Sequence, residues 1–439
     1  MKRYIIILAW KIKGLDVYSL YLKLLKREPW SEKQWKEYQN KRFLEFVRYC
    51  YENSAYYKEL FDSKNLKLQD IKSLDDIKLI PVLTKEIVRE NINKIVVKKG
   101  LKKKFIGHTT GSTGVPLTYY GSANRSKSIV AGLWRYYARC GWVPGDQIAS
   151  IWGFKNKETS SYKEKLRNYF SGITHFNAWE ANDADFEDWF ETLRKKRIRI
   201  LVCYGSSGSR FASWMLHNNK KYDGLKGVFS TSERLYEHQK KLMNDAFLCP
   251  IFDIYGCGEV THLACSCRMG KMHLTQDMSI VEVGEPNENQ LLPLIVTGFE
   301  NLSTPFLRYQ NGDCGSLSDE KCNCGLNTPL MELTVSRLSD VFKFSDGKKY
   351  PSLYFVLRLY KGGFNGIELF QFHQDSINHI FLRIIKNKRF SEVTHNNLLS
   401  VIEEISEHIN HMAVIEIVYQ EHIEQSTSSK HYYARSDVK

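Results

Sequence analysis

Apolar residues recur at roughly helical spacing between Ser31 and Phe61: Trp35, Tyr38, Phe43, Phe46, Val47 and Tyr51. This period predicts helix over 31–61. Thr84, placed before Lys85-Glu86-Ile87, has the chemistry of a helix N-cap, so a second helix is expected to start there. Farther along, two periods alternate. Short apolar runs predict strands over 147–152, 198–204, 227–230, 251–255 and 292–296. Amphipathic stretches between them predict helices over 126–139, 186–195 and 236–246. Such alternation implies an α/β unit with a largely parallel sheet. After Arg337 the character changes. Strand-like runs over 341–344, 366–373, 380–385 and 413–419 surround a helical stretch over 394–411, the pattern of a small α+β unit. The expected division is a large unit over 1–336, with a helical lead-in over 1–80, and a small unit over 337–439.

Length and composition agree with this division. A chain of 439 residues exceeds one ordinary core, and 43% hydrophobic content is ample for globular folding. No window approaches the roughly 18 consecutive apolar residues of a membrane-spanning helix. Met1-Lys2-Arg3 followed by residues 4–10 has the start of a signal peptide, but Lys11 and Lys13 cut the apolar run short and no small-residue cleavage site follows. The run is read as the buried face of an N-terminal segment, with peripheral membrane contact through the basic N-terminus as the alternative. The formal charge of +14 is uneven, and residues 1–50 carry twelve Lys/Arg against five Asp/Glu. A second basic run spans 98–104. No helix-turn-helix, zinc-finger or RNA-binding signature accompanies this charge, so nucleic acid is not an expected partner. Six of the ten cysteines lie between Cys257 and Cys324, which favours reduced thiols, metal binding and a cytoplasmic setting.

Candidate chemistry falls in an ordered series. Thr109-Thr110-Gly111-Ser112-Thr113-Gly114 sets hydroxyls beside glycines, where backbone N–H groups can cradle a polyanion. No Gly-Lys-Ser/Thr follows, so this is not a P-loop. Tyr255-Gly256-Cys257-Gly258-Glu259 ends an expected strand, the edge at which α/β sheets present ligand-binding residues. Asp313 closes the run Phe306-Leu307-Arg308-Tyr309-Gln310-Asn311-Gly312-Asp313. Ser336-Arg337-Leu338-Ser339-Asp340 precedes the change of unit, and Ser428-Ser429-Lys430-His431 lies near the C-terminus.

Taken in order, these segments resemble the phenylacetate–CoA ligase family of adenylate-forming enzymes, in particular its capsular-polysaccharide-biosynthesis branch. The resemblance runs from about Lys41 to the C-terminus and includes Tyr-Glu-Asn-Ser-Ala-Tyr-Tyr-Lys at 51–58 and Leu-Thr-Lys-Glu at 83–86. It implies a large adenylate-forming domain with mixed and parallel sheets, followed by a small mobile α+β domain. It also implies an ATP-dependent ligase that activates a carboxylic acid as its acyl-adenylate. Thr109, Thr110, Gly111, Ser112, Thr113 and Gly114 would hold the β- and γ-phosphates, and Ser232 and Glu233 would lie by the adenine. Tyr255, with Gly256 beside it, would flank the adenine; Glu259 would help hold Mg²⁺ and Asp313 would accept from the ribose hydroxyls. Arg337 would contact the nucleotide at the hinge, Asp340 would mark the pivot, and Lys430 would be the catalytic lysine. A cation and a metal ion suit the chemistry, because carboxylate attack on phosphate brings negative charges together.

Departures from the family pattern are Ser336 for the hinge glycine, Asn311 for threonine, Gly258 for threonine and Ser429 for glycine. They motivate the alternative of a catalytically degenerate ATP-binding scaffold. The acceptor is left open among CoA, a carrier-protein thiol and the amine of a sugar, and the state between monomer and homodimer. Cys267 and His273, with Cys322 and Cys324, offer three thiolates and an imidazole, a donor set suited to tetrahedral Zn²⁺. The resemblance implies that this metal is structural, tying the loop after Glu259 to the segment after Asp313 within 257–324. Cys265 is an alternative to Cys267, and Cys257 and Cys314 are expected to be packing residues.

Overall fold

A computed structural model describes residues 2–12, 15–97, 104–108, 117–153, 171–179, 181–287, 290–334, 341–361, 366–387, 389–423 and 431–438. Four helices lead in: α1 (Lys2–Ile12), α2 (Val17–Arg27), α3 (Glu32–Asn53) and α4 (Ala55–Ser63). The single helix expected over 31–61 is therefore two. Ser31 and Gln34 form a capping box that starts α3, and Ser54 in extended conformation (φ −115°, ψ 121°) separates it from α4. The break lets Tyr57 turn inward, where its hydroxyl donates to the Pro305 carbonyl and accepts from the Leu307 N–H.

The N-terminal run is a second correction. Ile6 is buried, but Tyr4, Leu8 and Ile12 are exposed. A helix turns about 100° per residue, so a continuous apolar run wraps the helix and only one face of it meets the core.

The next helix, α5 (Lys85–Ile95), is capped by the Thr84 side chain accepting from the Ile87 N–H, as the sequence predicts. Strands β1 (Lys104–His108) and β2 (Thr118–Ser122) pair antiparallel, and α6 (Ala123–Ala138) follows. A central run then alternates β3 (Gln147–Trp152), β4 (Ile173–Asn177), α7 (Asp183–Lys196), β5 (Ile198–Cys203), α8 (Gly205–His217), β6 (Gly227–Thr231), α9 (Glu237–Phe247) and β7 (Ile251–Cys257). Six more strands complete the large sheet: β8 (Thr261–Ser266), β9 (Met272–Leu274), β10 (Ser279–Val283), β11 (Pro293–Gly298), β12 (Phe306–Ser318) and β13 (Leu330–Leu333).

Among the described residues this sheet has eleven strands in the order β10-β11-β12-β13-β9-β8-β7-β6-β5-β3-β4. The segment from β4 to β7 is parallel, as the alternation predicts. Every pairing from β7 to β10 is antiparallel, so the sheet is mixed rather than largely parallel. The parallel strands read as near-continuous apolar runs because helices cover both faces. Among the antiparallel strands, β11 matches the apolar run that predicts a strand over 292–296, whereas β8, β9 and β12 mix in polar residues and no such run announces them.

Buried ion pairs fasten the lead-in to this frame. Arg135 on α6 contacts both carboxylate oxygens of Asp277 at 2.9 Å, and Arg27 on α2 approaches the same carboxylate at 3.4 Å. Arg139 meets Glu28 at 3.2 and 3.3 Å.

The residues from Val341 onward build a separate body. It contains a hairpin of β14 (Val341–Lys343) and β15 (Lys349–Pro351), then α10 (Ser352–Lys361), β16 (Ile367–Ser376), β17 (His379–Lys386), α11 (Glu392–His408), β18 (Val414–Tyr419) and β19 (Ala434–Ser436). Its sheet order is β18-β17-β16-β19, over a core that includes Phe342, Phe355, Phe372, Leu382 and Ile405.

Candidate functional site

In an open parallel sheet, ligands gather at the carboxyl ends of the strands, where chain order reverses. Here β3 is followed by β4 on one side and β5 on the other, so the reversal lies between β3 and β5. Trp152 and Tyr204 meet edge-on at this point, ring centroids 4.7 Å apart. Glu233 follows the carboxyl end of β6, and Gly256, Cys257 and Glu259 follow or close β7.

Asp313, on β12, reaches the same edge. The Tyr255 hydroxyl donates to its Oδ2 at 2.9 Å. Asn311 Nδ2 donates to the Tyr255 hydroxyl at 2.8 Å and to Asp313 Oδ2 at 3.3 Å, while Asn311 Oδ1 accepts from the Asp313 N–H at 3.0 Å. In a flat sheet strands four places apart would stand about 19 Å from each other. The contact between β7 and β12 therefore requires the antiparallel half to curl back over the carboxyl edge. Burial pushes the Tyr255 hydroxyl well up, so it stays protonated and keeps donating to the carboxylate.

Glu259 is buried, and its Oε1 accepts from the Tyr309 hydroxyl at 2.9 Å. Burial raises its carboxyl pKa, opposed by backbone and Tyr309 hydrogen bonds and by the nearby Lys85 ammonium. Tyr309, Asn311 and Asp313 lie close together on β12, which bulges against β11 between Gln310 and Cys314 with Gly312 at a φ of 90°. Two glycines clear the space around Glu259. A Cβ on Gly256 would lie 2.2 Å from the Thr261 carbonyl oxygen, and one on Gly258 would lie 2.9 Å from the Tyr119 hydroxyl. The Gly258 carbonyl accepts from Arg125. Gly258, a departure from the family pattern, thus matches the close approach of Tyr119.

Glu233 joins distant parts of the chain. Its Oε2 accepts from the Ser206 N–H at the start of α8, and its Oε1 accepts from the His431 N–H, both at 2.9 Å. Gln239 donates to the Tyr433 hydroxyl at 2.8 Å, and Arg210 pairs with Glu368 at 3.1 Å. The carboxylate sits where a helix N-terminus favours negative charge.

Cys267, His273, Cys322 and Cys324 converge, with their ligand atoms all within 4.8 Å of one another. Cys267 Sγ lies 3.7 Å from Cys322 Sγ, and Cys324 Sγ lies 3.2 Å from His273 Nε2. His273 Nδ1 faces the Thr328 carbonyl at 3.2 Å. With Nδ1–H donating to this carbonyl, the Nε2 lone pair faces the thiols, the orientation a metal ligand needs. Three sulfurs and one imidazole nitrogen at these separations fit a tetrahedral zinc ion. Cys265 is outside the cluster, with its thiol donating to the Ser266 carbonyl.

No family model matches the chain. Protein CapK of Staphylococcus aureus is 28% identical over 287 residues, 65% of this chain and 63% of that protein's length. Phenylacetate-coenzyme A ligase of Thermus thermophilus is 22% identical over 336 residues, 72% of this chain and 73% of that one. A crystal structure of 2-hydroxyisobutyryl-CoA ligase, in the postadenylation state with an acyl-AMP, superposes with a TM-score of 0.74 at 15% identity, over 94% of this chain and 92% of that one. The chain is phenylacetate–CoA ligase-like and has the adenylate-forming fold.

In this phenylacetate–CoA ligase-like chain the structure brings Tyr255, Gly256, Glu259 and Asp313 to one edge and sets Glu233 at the contact between the two bodies. Ser232 is exposed, with a positive φ of 68°. Thr109, Thr110, Gly111, Ser112, Thr113, Gly114, Arg337, Asp340 and Lys430 lie outside the described residues. The hairpin arms β1 and β2 flank the first six, and His431 follows the last.

Three participants had no sequence-derived role. Tyr309 holds Glu259, Asn311 aligns Tyr255 with Asp313, and Lys85 lies 3.0 Å from a Cβ placed on Gly312. The signal for Lys85 was the Leu-Thr-Lys-Glu segment. Leu83 pairs with β12, its N–H bonded to the Arg308 carbonyl and its carbonyl to the Gln310 N–H.

Proposed function

We propose that this chain activates a carboxylic acid with ATP, forming an acyl-adenylate and pyrophosphate, and then transfers the acyl group to an acceptor. The observation that carries the reading is the Asp313–Tyr255–Asn311 network at the carboxyl edge of an adenylate-forming sheet. A carboxylate held by a neighbouring hydroxyl and amide is oriented before ligand arrives, and it suits the vicinal hydroxyls of a ribose. Tyr255 and Gly256 would border the adenine. Thr109 to Gly114 would give N–H and hydroxyl donors to the β- and γ-phosphates.

Glu259 fits a Mg²⁺ ligand by its chemistry, a buried carboxylate with one oxygen fixed by Tyr309 and its ionised form favoured by Lys85. When bound, Mg²⁺ would neutralise charge between the phosphates. Lys430 and Arg337 would supply positive charge to the attacked phosphate and the hinge. Glu233, by binding the backbone next to Lys430, would present that lysine in the adenylation step. Release of the small body would then clear the site for the acceptor.

The postadenylation complex of 2-hydroxyisobutyryl-CoA ligase supports an acyl-AMP intermediate here, and the Thermus relative supports CoA as one acceptor. A carrier-protein thiol and an amino sugar bound for a surface polysaccharide are the other acceptors to test. Consumption of ATP and the reduced Cys267–Cys324 cluster fit a cytoplasmic setting.

ATP–pyrophosphate exchange against aryl acetates, fatty acids, amino acids and sugar acids tests the proposal. Exchange with one acid class, lost in Asp313→Ala, is expected. ATP binding without exchange for any acid would favour the scaffold reading, and absence of ATP binding would overturn both.

A further inference from the structure

Helix α1 exposes Tyr4, Leu8 and Ile12 at 74%, 56% and 77%. These positions are four apart, so they fall within about 80° of arc and form a stripe about 12 Å long. Ile6, half a turn round, is buried among Val17, Tyr21, Leu24 and Trp134. The helix is therefore anchored by one face and presents an apolar row on the other. Its sequence contains no acidic residue, and Lys2, Arg3, Lys11 and Lys13 lie within or next to it. Lys11 is exposed between the levels of Leu8 and Ile12. The following helix, packed against α1, exposes Leu22, Lys23 and Lys26.

We propose that α1 is a membrane-surface anchor, lying in the interface of an anionic bilayer with Tyr4, Leu8 and Ile12 inserted and its lysines among the headgroups. Large apolar side chains in water are unfavourable, and a row of three with basic residues at hand matches the depth and charge of an anionic interface. A protein partner with an apolar groove would have to be acidic as well, whereas an anionic bilayer supplies both properties over its whole area. No helix among the described residues is long and apolar enough to cross a membrane, so the contact would be peripheral. The anchor itself does not depend on the ligase reading.

Flotation of the full chain with vesicles tests it, using phosphatidylcholine alone and phosphatidylcholine mixed with phosphatidylglycerol. The wild-type chain should float with the mixed vesicles, remain behind with the neutral ones, and be released by high salt. Leu8→Glu and Ile12→Glu, at exposed positions, should each lower the floated fraction about tenfold. Equal flotation of these variants, or no flotation of the wild type with anionic vesicles, would overturn the proposal. So would size-exclusion evidence that the wild type dimerises and Leu8→Glu is monomeric, since the stripe would then serve a second copy. ATP–pyrophosphate exchange in vesicle-free solution should be the same in wild type and Leu8→Glu, so failure of the ligase reading would show separately.

Discussion

Asp313 and its two neighbours make different predictions, although all belong to one hydrogen-bonded group. Removing the carboxylate in Asp313→Ala should lower ATP–pyrophosphate exchange about a hundredfold or more, because a charged hydrogen-bonding group is lost from the proposed nucleotide site. Tyr255→Phe removes the bond to Asp313 and the one from Asn311 and should cost about tenfold in exchange, with little change in fold. Asp277→Asn is a structural counterpart. It leaves buried Arg135 with only Glu28, 3.5 Å away, as carboxylate partner and should destabilise the chain by about 2 kcal/mol in denaturant unfolding, with the site chemistry untouched. The meeting of Asp313, Glu259 and Gly256 at one edge was legible because each sits in a short motif whose order along the chain is informative. Tyr309, Asn311 and Lys85 were not, because their roles arise only when β12 curls over β7 and Leu83 docks beside Arg308. A linear sequence carries no direct sign of that curl.

Among the elements, the Cys/His cluster has the clearest energetic consequence. Cys267 and His273 flank the turn from β8 to β9, and Cys322 and Cys324 lie between β12 and β13. A zinc ion there would bind the two connections together and hold the strand bearing Asp313 against the turn that follows Glu259 and β8. Purified protein should contain about one zinc per chain, and Cys322→Ser or chelation should lower both metal content and thermal midpoint. The residue types and their spacing made this group legible in sequence. The break at Ser54 and the solvent-facing row on α1 were hidden for a common reason. Hydrophobic periodicity reports that a segment is helical more reliably than it reports where the helix stops or which face meets the core.

For the whole molecule, the contact between the two bodies, among the described residues, joins polar groups and an edge-on pair of rings, Tyr236 and Tyr433, 5.4 Å apart. Glu233 bonds the Ser206 and His431 N–H groups, and Gln239 and Arg210 add one contact each. Glu233→Gln turns one acceptor oxygen into a donor facing a donor. It should accelerate hydrogen exchange at the His431 amide and slow adenylation about tenfold, while transfer from a preformed acyl-adenylate changes less. Acidity should weaken the folded chain through His262 and His431. Burial pulls each imidazole down to about 4 from 6.5. The unfolded chain binds these protons near pH 6.5, whereas the folded chain does not until about pH 4. Their contribution is fully present above the upper value and falls with pH through that window, by up to about 1.4 kcal/mol per unit for each group. Denaturant unfolding between neutral and mildly acid pH should show this slope, and His262→Gln should reduce it. At this scale the α/β order and the change of character after Arg337 were readable from periodicity. Of the antiparallel half only β11 was, from its apolar run; β12 and the shorter strands mix polar residues into their pattern.

β12 also limits how this chain can diverge. It bulges against β11 between Gln310 and Cys314, with Gly312 at a φ of 90°, and this bulge together with the Asn311–Asp313 bonds fixes where Tyr309, Asn311 and Asp313 face. A substitution at Tyr309 loses the bond to Glu259, whereas one at Asn311 loosens Tyr255 and Asp313 together. Deletion or insertion of one residue between them would turn the remaining side chains away together. Relatives that keep the chemistry are therefore expected to vary in residue identity along 306–313 and to preserve its length, with gaps displaced to the turns at either end.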